Sequence, residues 1–348
     1  MTIKVLITGA GAPGIKGTIY SLKNNWDGEK IVTVGVDMRG EVVGKYLCDS
    51  FYKIPPAKDQ NFIPALLEIC EQEGVDVIRP QVTDELPFLP KNKRQFAKNG
   101  VRVAVSEYSS IDLANNKYKL TKIAKKMDVP SPKTFLADSW DALQDAADEV
   151  GYPFVVKPAV SSGMRGFRIV YESLDKKWSF FNEKPDNTKI TIKELHEIIG
   201  DDFPELLVME YLSGKEYSVD VLSKGGEAYV VVPRSRDQIR TGITFAGTVE
   251  KRRDIIEYAK KLTKALSLDF AHGFQFKEDR EGVPKIIECN PRVQGTMVLS
   301  TLAGANVIYG AVKLALGDRL PEFKVRWGTK LLRYWGGIGV YDGSVTEI

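Results

Sequence analysis

Phe154-Val155-Val156-Lys157-Pro158-Ala159-Val160-Ser161-Ser162-Gly163-Met164-Arg165-Gly166 is a β-rich apolar run that ends in a lysine and passes into a glycine loop. A lysine on a buried strand is costly to desolvate unless it meets an anion. The loop adds hydroxyls at Ser161 and Ser162, the Arg165 guanidinium, and the backbone freedom of Gly163 and Gly166 around Met164. Those donors suit a cover over nucleotide phosphates. Taken alone, the stretch has an alternative reading as an ordinary hairpin turn with an edge lysine.

Two later segments change its meaning. Val208-Met209-Glu210-Tyr211-Leu212-Ser213-Gly214-Lys215-Glu216 is an apolar strand broken by one glutamate, then a glycine turn and a second glutamate. Such a segment offers backbone donors and acceptors to a base and a carboxylate to ribose hydroxyls. Gly273-Phe274-Gln275-Phe276-Lys277 and Ile286-Ile287-Glu288-Cys289-Asn290-Pro291-Arg292 form a hairpin turned at Asp279–Gly282. Glu288 and Asn290 share one face of their strand, and the paired strand brings Gln275 beside them. Three oxygen donors on one face make a site for a hard cation, with magnesium keeping water and phosphate oxygens for its other positions. Arg292 follows, able to meet phosphate charge. The alternative is the polar outer face of a hairpin.

Upstream, Ile3–Thr8, Ile31–Asp37, Val75–Pro80 and Val101–Ser106 read as strands alternating with helical stretches at Ile15–Asn24 and Gln60–Gly74. That alternation predicts a parallel, doubly wound sheet. A polar segment at Ser109–Lys117 leads to a helix over Lys117–Met127, stopped before Val129-Pro130-Ser131-Pro132. Residues 172–204 are charged and helix-rich. Antiparallel strands follow, then a helix at Lys251–Leu266, the hairpin, and a last helix at Val307–Leu316. The expected division is 1–110, 111–205 and 206–348.

Gly9-Ala10-Gly11-Ala12-Pro13-Gly14 follows a strand and opens a helix, with Asp37 at the end of the second strand. This is the context of a dinucleotide-binding turn, and Tyr118 and Lys122 have the spacing of a dehydrogenase tyrosine–lysine pair. An NAD-dependent dehydrogenase or epimerase is therefore an alternative reading. Pro13 counts against it, because it removes an N–H from the loop that should cradle pyrophosphate.

The 348 residues are 43% hydrophobic and 27% charged with a formal net charge of +3, an ordinary globular balance without a basic tract for nucleic acid. Cys48, Cys70 and Cys289 are scattered and lack metal-ligand spacing. Two histidines exclude His-rich zinc sites and disfavour serine–histidine catalysis. The opening Met1-Thr2-Ile3-Lys4-Val5-Leu6-Ile7-Thr8-Gly9 is a strand into a turn without signal-peptide character, and no apolar run approaches the roughly 20 residues of a membrane span. The expected location is the cytoplasm, with neither nucleic acid nor membrane as partner.

The lysine strand with its glycine loop, Met-Glu-Tyr-Leu-x-Gly-x-Glu, and Gln followed by Glu-x-Asn-Pro-Arg, in that order, resemble the ATP-grasp superfamily over residues 110–320. Within it, the chain is similar to the synthetase half of the large subunit of carbamoyl phosphate synthase. The resemblance implies a mixed α/β and α+β chain: a Rossmann-like pre-ATP-grasp domain, then an ATP-grasp fold of two α+β subdomains clasping ATP. It implies that Lys117 and Lys157 hold ATP phosphates, with Ser161–Gly166 as the lid. Met209, Glu210, Tyr211 and Leu212 resemble the adenine hinge and Glu216 the ribose ligand. Gln275, Glu288 and Asn290 resemble the metal ligands, for Mg²⁺ or, as a substitute, Mn²⁺. Arg292 resembles the arginine that stabilises the transferred phosphoryl group. Under this reading the Gly9–Gly14 turn is scaffold, and Thr83, Asp84 and Glu85 face the acceptor.

The implied chemistry is an ATP-dependent carboxylate–amine ligation through an acyl phosphate, with small-molecule carboxylate and nucleophile as substrates and a homodimer left open. Arg234 and Arg240, in Pro233-Arg234-Ser235-Arg236-Asp237-Gln238-Ile239-Arg240, are candidate cations for the substrate carboxylate; a solvated loop is the alternative. One grasp unit without a glutaminase or allosteric domain argues against carbamoyl phosphate synthesis itself. A non-catalytic ATP-binding regulator is the remaining alternative.

Overall fold

The computed structural model describes residues 2–160, 164–342 and 344–348; Ser161, Ser162 and Gly163 of the expected lid lie outside the described residues. The chain divides into two compact units, one formed by 1–114, 217–275 and 289–348, the other by 115–216 and 276–288.

The first unit begins with a parallel five-stranded sheet of β1 (Thr2–Thr8), β2 (Lys30–Asp37), β3 (Ser50–Lys53), β4 (Val77–Arg79) and β5 (Arg102–Val103), in the order β3-β2-β1-β4-β5. Leu6 lies opposite Val34 on one side and Ile78 on the other. Because side chains alternate along a strand, β1 feeds two cores. Ile3, Val5 and Ile7 join Ile15, Ile19 and Leu22 of the helix Ile15–Lys23. Leu6 joins Phe62, Leu66 and Ile69 of the helix Phe62–Glu73. That is the doubly wound arrangement which near-continuous apolar strands require.

Three local readings need correction. The strand expected at Val75–Pro80 is shorter, because Pro80 has no N–H to continue the ladder. The short edge strand β3 has no apolar alternation to announce it; its four residues are only partly buried or exposed. Ser109–Lys117 is not a plain polar connection: Tyr108–Asn115 is a helix that buries only Ser110, Ile111 and Ala114, too narrow a stripe to stand out. Asn116 then accepts hydrogen bonds from the Tyr118 and Lys119 amides and caps the helix Lys117–Lys126.

The second unit contains β6 (Thr134–Ser139), β7 (Phe154–Pro158), β8 (Arg168–Tyr171), β9 (Lys189–Thr191) and β10 (Asp202–Glu210), in the order β6-β10-β7-β8-β9. One face packs Val156 and Val208 on Leu143, Ala146 and Ala147 of the helix Trp140–Val150. The other carries Val155, Leu207, Met209 and Ala159, with Tyr118, Phe167 and Tyr211 against them. Lys157 lies opposite Leu207 and, two residues from Val155, on that second face.

The remainder of the first unit is built on β11 (Glu216–Lys224), β12 (Glu227–Ser235), β13 (Gln238–Arg240), β14 (Ile243–Thr248), β15 (Phe270–Glu278), β16 (Pro284–Asn290) and β17 (Lys330–Leu332). These form a sheet β12-β11-β15-β16 and a smaller one β13-β14-β17; the tip of the β15–β16 hairpin counts with the second unit. The strands β13 and β14 stand where sequence suggested only an arginine-bearing loop. The helix Val307–Leu316 is buried nearly all round, and Ile308, Tyr309 and Val312 share one core with Ile15, Ile19 and Leu22. That common core explains why the first and last parts of the chain fall into one unit. A terminal hairpin of β18 (Ile338–Tyr341) and β19 (Ser344–Glu347) completes the described structure. No helix among the described residues is long and apolar enough to cross a membrane.

Candidate functional site

Lys157 is brought to the end of β7 by an ordinary apolar strand, yet its side chain is only 9% exposed. Lys117 opens the helix capped by Asn116, donates its amide to the Ala159 carbonyl at 3.1 Å, and is 6% exposed. Burial pushes the Lys157 ammonium down to about 8; Lys117 lowers it further, and Glu288 and Glu216 act in the opposite sense. Lys117 is also lowered, by burial, with Glu288 opposing. Two buried ammonium groups beside one another within one unit are an arrangement that a polyanion would stabilise.

Of the glycine loop, Met164, Arg165 and Gly166 are described and exposed. Gly166 has φ of +71°, and a Cβ there would sit 2.7 Å from Pro158 Cδ, so the return from the loop into β8 needs glycine.

At the end of β10, Met209 and Leu212 are buried and Tyr211 half-buried beneath the Lys277 ammonium. The Glu210 amide donates to the Lys133 carbonyl at 2.9 Å, while its carboxylate accepts from the Lys133 amide and from Lys285 Nζ, at 3.1 and 2.7 Å. Glu210 is therefore held by its own neighbours. The partner Lys285 was not singled out from sequence; its only signal is an outward position in β16 beside buried Ile286. The turn that follows is pinned to the hairpin tip: Gly214 donates to Glu278 and Glu278 to Lys215, each at 2.9 Å. Glu216 begins β11 half-buried.

Gln275 is half-buried between fully buried Phe274 and Phe276, and Glu288 and Asn290 flank buried Cys289 in the same alternating way. Among the described residues no three His, Cys, Asp or Glu side chains cluster for a metal. The three residues expected as ligands offer one carboxylate and two amide oxygens, donor chemistry that suits magnesium and not zinc. Arg292 donates Nη2 to Asn290 Oδ1 at 3.3 Å, Nη1 to the Val293 carbonyl at 2.9 Å and Nε to Thr83 Oγ1 at 2.9 Å.

The two candidate carboxylate-binding arginines are placed differently. Arg234 is 1% exposed and makes a bidentate pair with Asp220, Nε to Oδ2 at 2.8 Å and Nη2 to Oδ1 at 2.9 Å. Nη2 also donates to Gln294 Oε1, and Asp220 accepts from Ser300 Oγ. It is an interior cation on a strand, not part of a solvated loop. Arg240 is exposed on β13, with its guanidinium 4.8 Å from the centre of the Phe245 ring and 5.9 Å from that of Trp335.

The turn Gly9–Gly14 is occupied by internal contacts. The Gly11 amide donates to Asp37 Oδ2 at 2.7 Å, and Arg39 donates its amide and Nε to Asp37 Oδ1. The acid that would hold a ribose thus binds the loop that would cradle pyrophosphate. Of the three residues expected near the acceptor, Thr83 meets Arg292, Asp84 is exposed, and Glu85 is interior and accepts from Thr8 Oγ1. Burial pushes the Glu85 carboxyl up to about 8, with the Thr8 and Val82 hydrogen bonds opposing.

Residues 202–331 match the family described as ATP-grasp in the biosynthetic pathway with Ter operon, and residues 5–104 the PylC-like N-terminal domain. The chain is 28% identical over 273 residues to the carbamoyl phosphate synthase large chain of Clostridium acetobutylicum, covering 75% of this chain and 24% of that one. Against the Archaeoglobus fulgidus large chain it is 24% identical over 352 residues, 94% and 30% of the two. The chain thus spans about a quarter of the length of these curated relatives. Among solved structures, Campylobacter jejuni biotin carboxylase superposes with a TM-score of 0.66 at 21% identity, over 92% of this chain and 73% of that one. Staphylococcus aureus N5-carboxyaminoimidazole synthetase complexed with ADP gives 0.67 at 16%, over 93% and 80%.

Proposed function

We propose that this chain, an ATP-grasp protein with a PylC-like N-terminal domain, is a ligase that uses ATP and magnesium to activate a small-molecule carboxylate as an acyl phosphate for attack by an amine or similar nucleophile. The observation that carries this reading is the buried pair Lys117 and Lys157, whose charges call for a polyanion. Gln275, Glu288 and Asn290 would hold the magnesium ion, which would supply neutralising charge to the phosphates. The chain's own residues bind and orient. Lys117 and Lys157 draw the phosphate oxygens, Tyr211 and Leu212 present backbone groups to adenine, and Glu216 takes the ribose hydroxyls. Arg292, held by Thr83, carries positive charge for the moving phosphoryl group.

In the first step a carboxylate oxygen bonds to the γ-phosphorus and the bond to ADP breaks. In the second the amine bonds to the acyl carbon, phosphate departs with the acyl–oxygen pair, and the amine proton passes to solvent. Neither step needs a protein nucleophile, which accords with a site of cations and oxygen donors. The direct test is ADP release from Mg-ATP in a matrix of carboxylates and amines, alone and in pairs. Turnover requiring both partners and lost in Glu288→Gln is the expected outcome. Tight Mg-ATP binding without ADP release across the matrix would instead make the chain a nucleotide-binding regulator, and preference for NAD over ATP would return the dehydrogenase reading.

Once a substrate pair is found, Arg240→Ala is expected to raise KM for the carboxylate roughly 10-fold or more, the loss of one charge-assisted hydrogen bond, with KM for ATP unchanged. Unchanged carboxylate kinetics would remove Arg240 from the site.

A further inference from the structure

Arg79 ends β4, next to the end of β1, at the point where the order β3-β2-β1-β4-β5 reverses direction. Crevices at the carboxyl ends of strands flanking such a switch point are where α/β sheets bind ligands. The guanidinium is 1% exposed. Its Nη2 donates to Thr18 Oγ1 at 3.1 Å and to Gln81 Oε1 at 2.6 Å, both neutral oxygens. Among the described residues no carboxylate pairs with it, and its Nε and Nη1, like Gln81 Nε2, are buried without an acceptor. Arginine is almost never fully buried unless paired. Burial alone pushes it down to about 9.

A small cavity lies against this group, lined by Arg79, Pro80, Val105, Ala271, Arg292 and Val293 among others, with room for roughly one water-sized occupant. The two guanidinium groups are the only polar side chains among the residues that line it. The Arg292 nitrogens already have partners in Thr83, Val293 and Asn290, so Arg292 adds positive charge while Arg79 has donors to give.

We propose that this cavity is a site for a single small monatomic anion, chloride or bromide, held by Arg79 and by the field of Arg292. A water molecule would take the same hydrogen bonds but leave an interior cation without a counter-charge, the costlier arrangement. A carboxylate, phosphate or bicarbonate needs more room than either halide. The site belongs wholly to the first unit and stands whether or not the chain turns over ATP.

Two measurements on the intact protein test it. Crystals soaked in sodium bromide should show one anomalous peak in the cavity within hydrogen-bond distance of Arg79; a water-filled or empty cavity overturns the proposal. Thermal unfolding in sodium chloride or bromide, against sodium gluconate at equal ionic strength, should show a melting temperature higher by roughly 2 °C or more. The difference should vanish in Arg79→Met, which fills the space without charge. A wild-type protein that melts equally in gluconate, or a halide effect that survives in Arg79→Met, overturns it as well, and the bromide map on wild type stands even if that variant fails to fold.

Discussion

Lys157→Met is expected to bind Mg-ATP about 10- to 100-fold more weakly than wild type and, without nucleotide, to melt at a higher temperature. The affinity loss is that of a charge-assisted contact to phosphate, worth about 1.5–3 kcal/mol. The gain in stability follows from the same burial. Lys157 sits on an apolar face with Val155 and Leu207, held beside a second ammonium, and methionine has nearly its length without its charge. Under the proposed function, a phosphate-binding lysine whose burial costs the fold until nucleotide binds is the expected trade between stability and activity. Isothermal titration and thermal unfolding give the two readouts, and a variant that loses both affinity and stability would make Lys157 a structural residue.

The same group fixes a pH dependence. Its folded value of about 8 lies below the ordinary 10.5. Below pH 8 the lysine is charged in both states and the folded state bears the full desolvation. Between about 8 and 10.5 the unfolded chain binds more protons, so stability rises with pH there. The stability gap between Lys157→Met and wild type should therefore narrow across that window. Mg-ATP affinity should fall across it, since phosphate favours the protonated form. A gap constant from pH 7 to 10 would contradict this origin.

How far the sequence reveals this site follows from which features are local. The apolar run with Lys157, the alternation around Gln275 and around Glu288–Asn290, and the strand–turn–helix at Gly9 are all period and spacing, and they place strands where the structure has them. What stays hidden depends on partners far along the chain. Asp37 has the position of a ribose ligand, but that Gly11 and Arg39 occupy it is visible only once β1 and β2 are paired. Lys285 is one lysine among many until β16 carries it to Glu210. Thr83 and Arg292 are separated by 209 positions, and no local pattern connects them. Arg234 shows most clearly how context overrides composition: three arginines close together suggest an exposed cationic loop, yet the strand buries the first and leaves Arg240 outside.

Arg234 supplies the other large effect, because its partner can be removed separately. Asp220 lies opposite Val232, and Arg234 is two residues along β12 on the same face, so the pair closes diagonally across adjacent strands inside the core. Asp220→Ala leaves a fully buried guanidinium facing a cavity and Gln294, and should cost about 3–5 kcal/mol of folding stability, read as a lowered urea midpoint. Replacing both partners, Asp220→Leu with Arg234→Met, removes the two charges together and should recover most of that loss, since an apolar pair of similar volume is often as stable as the ion pair it replaces. Arg234→Met alone leaves Asp220, among the described residues, with the Ser300 hydroxyl as its remaining side-chain donor and should fall between. A structural pair predicts this pattern with the carboxylate KM of the surviving folded variants unchanged. If Asp220→Ala instead keeps its urea midpoint while the carboxylate KM rises, the charge of Arg234 is serving the substrate, and the buried pair is the device that aims it.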